Sequence, residues 1–282
     1  MSHILWLASF PKSGNTWVRA FLANFLSNGE TPVDVNALPN FAMGDANADD
    51  YAQAAGKPVE ALTAADLNRL RPAVHQRIAA ARPGLVFVKT HSVLAKVGGV
   101  PTITPGVTAA AIYIVRNPLD VAVSMAYHYG YPVADAVGGV CFDELEILPT
   151  GGRIPQRVTS WGNHLRSWRA APGLNVCLLR YEDMLADPET NFAKVTAFLG
   201  LPGDRDRLRR AVRHSSFKIL AQQERDRGFV ESSQSPERFF RRGQAGGWRD
   251  ELTAQQVAEI VEKNRDAMVE MGYLSPQGEI LV

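Results

Sequence analysis

Apolar residues gather into short unbroken runs along this chain. His3-Ile4-Leu5-Trp6-Leu7-Ala8-Ser9 is the first, and Leu85-Val86-Phe87-Val88, Ala111-Ile112-Tyr113-Ile114-Val115 and Val176-Cys177-Leu178-Leu179 follow. Runs this short without polar alternation predict strands buried on both faces, as in a parallel sheet. Between them the period changes to that of a helix. Thr16–Leu26 sets Trp17, Phe21, Phe25 and Leu26 on one side. Pro118–Tyr127 does the same with Leu119, Val121, Ala122 and Met125, and Pro188–Leu199 with Phe192, Val195, Phe198 and Leu199 before Gly200 stops it. Asn117-Pro118 and Asp187-Pro188 each put a capping acceptor before a first-turn proline. Strands alternating with helices predict an α/β fold, its central parallel sheet flanked by helices on both faces.

Three stretches break the rhythm. Residues 30–84 are rich in Ala, Asp, Asn and Pro and too long for a bare loop, so short helices covering part of a pocket are expected there. Residues 130–157 contain Gly-Gly twice and read as a second insertion, and residues 224–247 as a C-terminal lid. With no repeat, low-complexity tract or linker, a single domain over 1–282 is expected.

The first strand runs straight into Pro11-Lys12-Ser13-Gly14-Asn15-Thr16-Trp17. A strand, a tight turn and a helix start aim successive N–H groups at one point, where the helix dipole favours an anion. Gly14 permits torsions that a side chain opposes. Lys12 adds a full charge, and Ser13, Asn15 and Thr16 add donors. The usual nucleotide-triphosphate loop spaces two glycines and ends Gly-Lys-Ser/Thr; here the lysine precedes a lone glycine. The second and third strands run out into Lys89-Thr90-His91 and Arg116-Asn117. Basic groups at the carboxyl ends of parallel strands stand where such sheets bind ligands. Lys12, Lys89 and Arg116 together suit a polyanion without a metal.

The charge balance narrows the field. Lys plus Arg is 30 against 29 for Asp plus Glu, which lacks the basic excess of a general nucleic-acid or membrane-surface binder. The clusters Arg205–Arg213 and Arg238–Arg242 are local, the first reading as a solvated helix face. Cys141 and Cys177 are the only cysteines; two make neither a disulfide framework nor a metal site. The N-terminal apolar run has no basic flank and breaks at Pro11-Lys12, so neither a signal peptide nor a membrane span is expected. A cytoplasmic protein follows as the expectation.

The loop at 11–17 resembles the 5′-phosphosulfate loop of the cytosolic-type sulfotransferases that use PAPS (3′-phosphoadenosine 5′-phosphosulfate). Further segments match in order. Lys89-Thr90-His91 resembles the catalytic segment, and Arg116-Asn117-Pro118 through Ser124 the 3′-phosphate segment. Tyr181-Glu182-Asp183-Met184 and His214-Ser215-Ser216-Phe217 resemble the adenine-side elements. Arg241-Arg242-Gly243-Gln244-Ala245-Gly246-Gly247-Trp248 resembles the C-terminal signature. The resemblance implies a P-loop-type three-layer sandwich and transfer of a sulfuryl group from PAPS to an acceptor hydroxyl or amine, with no metal. It implies His91 as general base, Lys12 stabilising the leaving oxygen and Lys89 holding the sulfuryl oxygens. It implies nucleotide contacts at Lys12, Ser13, Gly14, Asn15, Thr16, Trp17, Arg116, Ser124, Tyr181, Ser215, Phe217, Arg241, Arg242 and Gly243, with Trp17 and Phe217 sandwiching the adenine and Ser124 restraining Lys12.

Asn15, Ser215 and Arg242 depart from the residues common in animal members, and Ala254 and Ala258 weaken the echo of the family's dimer motif. A P-loop kinase is the rival reading; it needs magnesium and a strand-end aspartate that the sequence does not offer. A non-catalytic nucleotide-binding module is the third, and it has no use for His91 beside Lys89. The acceptor is expected to be a small molecule, lipid or glycoside, with Phe41, Tyr51, Tyr127, Tyr129, Tyr131 and Phe142 as candidate contacts.

Overall fold

The computed structural model describes residues 2–148, 152–232 and 238–282. Residues 149–151 of the expected second insertion and 233–237 of the expected lid lie outside that set. The described residues form a five-stranded sheet of β1 (His3–Ser9), β2 (Met43–Gly44), β3 (Leu85–Thr90), β4 (Thr108–Val115) and β5 (Val176–Arg180). The strand order is β2-β3-β1-β4-β5 and every neighbouring pair is parallel. β2, a two-residue edge strand, carries no apolar run and was not foreseen from the sequence.

Alternate residues of the inner strands feed two separate cores. Ile4, Trp6, Ala8, Ala111, Tyr113 and Val115 face one side, and Leu5, Leu7, Ile112 and Ile114 the other. This is the period-two geometry of a strand wanted on both faces. On the first side lie α2 (Ala64–Ala80), α3 (Pro118–Tyr129), α4 (Trp161–Arg169) and α9 (Ala254–Glu270). The second side holds α1 (Asn15–Ser27), α5 (Tyr181–Ala186), α6 (Pro188–Phe198) and α7 (Arg205–His214), with α8 (Phe217–Arg227) packed farther along α1. The sandwich of helices, sheet and helices is the architecture expected. On α7, Ala211 is buried, while Arg209 pairs with Glu189 at the surface.

β1 is flanked by β3 on one side and β4 on the other, so the connection out of β1 and the later one from β3 to β4 run in opposite directions across the sheet. The carboxyl ends of these strands therefore open a crevice at a topological switch point. The turn after β1, His91 after β3 and Arg116 after β4 all stand on that rim. Residues 30–84 do not serve it. Phe41 stacks on Phe87 and Tyr51 is buried in the core, and no residue of that insertion lines the cavity described next. This segment supplies the edge strand β2 and lays α2 on one face of the sheet, contrary to the expectation that it covers the pocket.

Candidate active site

One continuous cavity of about 1100 Å³ occupies the rim. That exceeds the range of a single small-ligand site and leaves room for a nucleotide and a second molecule. Its floor is the turn after β1. Lys12 has φ 64° and Gly14 φ 106°, so the turn depends on left-handed backbone. A Cβ added to Gly14 would lie 2.8 Å from the Tyr181 ring, so glycine is required there by torsion and by space. Among the described residues no side chain caps the N-terminus of α1, which leaves its first N–H groups and its dipole for a ligand.

The side chains of the turn divide their labour unexpectedly. Asn15 Nδ2 donates to Leu7 O at 2.8 Å and Ser9 Oγ at 3.3 Å. Asn15 borders the cavity, but its amide nitrogen braces the turn against β1, so the expected side-chain donor becomes a strut. Ser13 is wholly buried beneath the turn, outside the cavity lining. On the cavity-lining residues Trp17 and Arg116, Nε1 and Nε are buried polar atoms without a partner among the described residues, the kind of deficit an anionic nucleotide would relieve. Arg116 donates from Nη1 to Lys12 O at 3.2 Å and from Nη2 to Gln244 O at 3.1 Å, and its guanidinium lies 4.5 Å above the Tyr181 ring.

The C-terminal segment closes over this floor. Asp120, at the start of α3, accepts from Gly246 N at 2.8 Å and Trp248 N at 3.1 Å. Gly243 (φ 61°) lies against Phe217 so closely that a Cβ would fall 2.2 Å from the ring. Arg242 Nη2 pairs with Glu251 Oε1 at 2.7 Å, and Arg241 stacks 3.6 Å above Tyr127 while leaning on the same carboxylate. Trp17 and Phe217 both border the cavity; Trp17 packs edge-on against Tyr181 and Phe192. Ser124 borders it too. The expected Ser124–Lys12 restraint is not what holds the lysine, whose Nζ sits 3.8 Å above the Phe239 ring. Ser215 does not reach the cavity. It is buried at the end of α7, and its hydroxyl donates back to Ala211 O at 2.9 Å; the next residue, Ser216, lines the wall.

His91 stands at the far end of the floor. Its Nδ1 lies 2.8 Å from Ser9 O, an acceptor only, so Nδ1 carries the proton and Nε2 is the free base. Burial, and then the positive charge of Lys89, holds the imidazole well below the usual histidine range. It is neutral at physiological pH, as a proton acceptor must be. Burial first, then Lys89 and Arg116, brings the Lys12 ammonium down to about 7. Burial and Arg19 bring Lys89 down to about 8.

Two supports were invisible from the sequence. On one face of α4, Trp161 Nε1 donates to Arg116 O at 3.1 Å and Trp168 Nε1 to Ser92 O at 3.1 Å. His164 Nε2 lies between them, 3.0 Å from His91 O, with Tyr113 Oη 2.7 Å from its Nδ1. One buried helix face thus fixes the backbone of both strand ends. Its only signal was polar-tipped rings at Trp161, His164 and Trp168, a spacing that also suits plain core. The second is Glu231, from the lid, whose carboxylate contacts Arg19 and Lys89. Among the described residues no cluster of His, Cys, Asp and Glu is placed to hold a metal ion, and no helix is long and apolar enough to cross a membrane.

The sulfotransferase domain family matches residues 3–272. The chain belongs to that family. Its reaction class is sulfuryl transfer. Sulfotransferase 1B1 of Canis lupus familiaris is 26% identical over 266 residues, covering 89% of this chain and 78% of the relative. Cytosolic sulfotransferase 14 of Arabidopsis thaliana is 24% identical, covering 90% and 72%. Among solved structures, retinol dehydratase with androsterone and the inactive cofactor PAP superposes with a TM-score of 0.64 at 20% identity, covering 97% of this chain and 83% of that one. A mouse sulfotransferase complexed with PAP gives 0.61 at 22% identity, covering 94% and 84%. At such identities the superpositions establish a common fold, and the site argument stays with the residues of this chain.

Proposed function

We propose that this sulfotransferase moves the sulfuryl group of PAPS to a hydroxyl of a small-molecule, lipid or glycoside acceptor, with His91 as general base. The observation that carries the reading is the open Nε2 of a neutral His91 in the cavity that also receives Lys12 and Lys89. The acceptor hydroxyl gives its proton to Nε2 as its oxygen bonds to sulfur, and the bond from sulfur to the 5′-phosphate oxygen breaks. Lys12 meets the negative charge growing on that leaving oxygen and Lys89 holds the sulfuryl oxygens, electrostatic support placed in advance of the reaction. The buried Trp17 and Arg116 atoms, unpartnered among the described residues, suit the nucleotide, and Arg241, Arg242 and Gly243 close on its 3′-phosphate.

The acceptor end is bordered by Tyr129, Tyr131, Ile147, Leu148 and Val230. Tyr129 and Tyr131 stack with centroids 5.6 Å apart and form an apolar shelf next to His128. A hydroxylated compound with an apolar body fits that shelf, the class to which the retinol and androsterone of the retinol dehydratase structures belong. Phe41, Tyr51, Tyr127 and Phe142 do not border the cavity. One sheet serving both cores supports reading the chain as a single domain, and the free thiols of Cys141 and Cys177 suit a cytoplasmic setting. Calorimetry with PAP and PAPS, followed by transfer of labelled sulfate from PAPS to a panel of phenols, sterols and glycosides in EDTA, tests the reading. Binding of both nucleotides and label transfer to a hydroxyl is the expected result; a folded protein that ignores both nucleotides overturns it.

A further inference from the structure

Glu231 belongs to the lid, yet its side chain is only 9% exposed. Oε1 accepts from Arg19 Nη1 at 2.7 Å, and Oε2 accepts from Arg19 Nη2 at 2.5 Å and from Lys89 Nζ at 3.2 Å. Arg19 is wholly buried in α1, and its Nη2 also reaches Thr16 Oγ1 at 3.2 Å. One carboxylate therefore joins the lid, the helix that opens on the anion turn, and the end of β3.

An acid in this place either leaves when the donor arrives or stays. The pairing with Arg19 decides. It is bidentate, the most directional form of ion pair, and Glu231 is the one carboxylate bonded to Arg19 among the described residues. Withdrawing it strands a charge with no access to water, which is strongly unfavourable. Burial opposes the charge of Glu231 itself, but Lys89 and the bonded Arg19 outweigh that and hold it well below the usual carboxylate range. It is a permanent anion.

Lys89 needs one. Arg19 faces it from α1 and Arg153 from the segment before Ile154. Lys12 from the anion turn, His128 from α3 and its own neighbour His91 all feel its charge. Asp45, after β2, is a further acid near Lys89; burial raises it to about 6, and it is engaged by Thr90 Oγ1 and Gln156 Nε2. Glu231 is the only carboxylate in direct contact with the ammonium among the described residues.

We infer that Glu231 is a positioning residue for sulfuryl transfer: held by Arg19, it fixes the Lys89 ammonium over the donor site and keeps it protonated. The inference rests on the reading of Lys89 as the cation that holds the sulfuryl oxygens. Loss of the carboxylate lowers the pH at which Lys89 gives up its proton, so turnover fails at lower pH on the basic side.

The test needs no acceptor. Protein carrying lysine labelled with ¹³C at Cε is titrated by NMR, the Lys89 signal being assigned with Lys89→Arg. In Glu231→Gln the Lys89 midpoint is expected to fall by about one pH unit or more, with Lys57 as an unmoved control. Glu231→Asp keeps a partner for Arg19 and is expected to show a smaller fall; it carries the test if the amide variant does not fold. A carboxylate that served Arg19 alone would change the melting temperature and leave Lys89 where it was, and an unchanged Lys89 midpoint overturns the inference. Calorimetry with PAP on the parent protein separates the two failures. No PAP binding sinks the donor reading, whereas PAP binding with an unmoved Lys89 sinks only the role of Glu231.

Discussion

His91 Nδ1 is fixed at 2.8 Å by the carbonyl of Ser9, the last residue of β1. The strand that leads into the turn at Lys12–Gly14 thus also sets the tautomer of His91, so the proposed base and the proposed anion seat share one rigid element.

Replacing His91 by Ala removes the proposed base and leaves the turn after β1 intact. Turnover with an accepted hydroxyl compound is expected to fall about a hundred- to ten-thousandfold, with PAP affinity within a factor of about three. The pH profile of the parent follows from the depressed imidazole. Its acid limb lies well below the ordinary histidine range, because activity is lost only when the pH falls far enough to protonate Nε2. Steady-state kinetics and PAP calorimetry on the same preparation check both points.

Gly14→Ala meets a φ of 106° and a Tyr181 ring atom 2.8 Å from the new Cβ. The strained backbone alone costs about 1–3 kcal/mol. Denaturant unfolding should show that loss, and PAP binding should weaken beyond it because the N–H groups of the turn are displaced. Equal stability and equal affinity would show that the turn relaxes freely.

Lys12 titrates near pH 7 in the free protein because burial and two neighbouring cations oppose its charge. A polyanionic nucleotide reverses that electrostatic balance and raises the value. Between pH 7 and the raised value, binding must take up roughly one proton, and affinity must fall as the pH rises through that window. Calorimetry of PAP at pH 8 in two buffers of different ionisation enthalpy reads the uptake directly. Heats independent of the buffer would contradict it.

Trp168→Phe keeps the packing of α4 and deletes the donor to Ser92 O. The orphaned carbonyl is expected to destabilise the protein by about 1–3 kcal/mol. The loss should appear in turnover more than in PAP affinity, since the nucleotide floor hangs from Arg116 and Trp161. Unfolding curves with paired kcat and KM values distinguish this from a general loss of packing.

What the sequence made legible follows from how many positions carried each signal. β1 and β4 were readable because whole runs are apolar and both faces are buried. The turn after β1 was readable because a lysine, a glycine and small polar residues stand together between an apolar run and a helical pattern. β2 has two residues and pairs only at the edge, so no period can form. Ser215 and Ser216 are identical in type, and only the end of α7 decides which one turns inward. Asn15 is a donor on paper, but the carbonyl of Leu7 claims it before any ligand can. Glu231 and Arg19 stand 212 residues apart, and a lone acid in a polar segment carries no sign of its partner. The face of α4 was hidden for the opposite reason, since tryptophan and histidine on a buried helix look like filling until their N–H groups are traced.

Arg241 and Arg242 both rest on Glu251 in this structure. On the proposed reading, a 3′-phosphate arriving beneath them competes with a carboxylate already in place, so its gain is the difference between two partners. The grip is consequently moderate by construction, which suits a seat that must let its spent nucleotide go after every cycle.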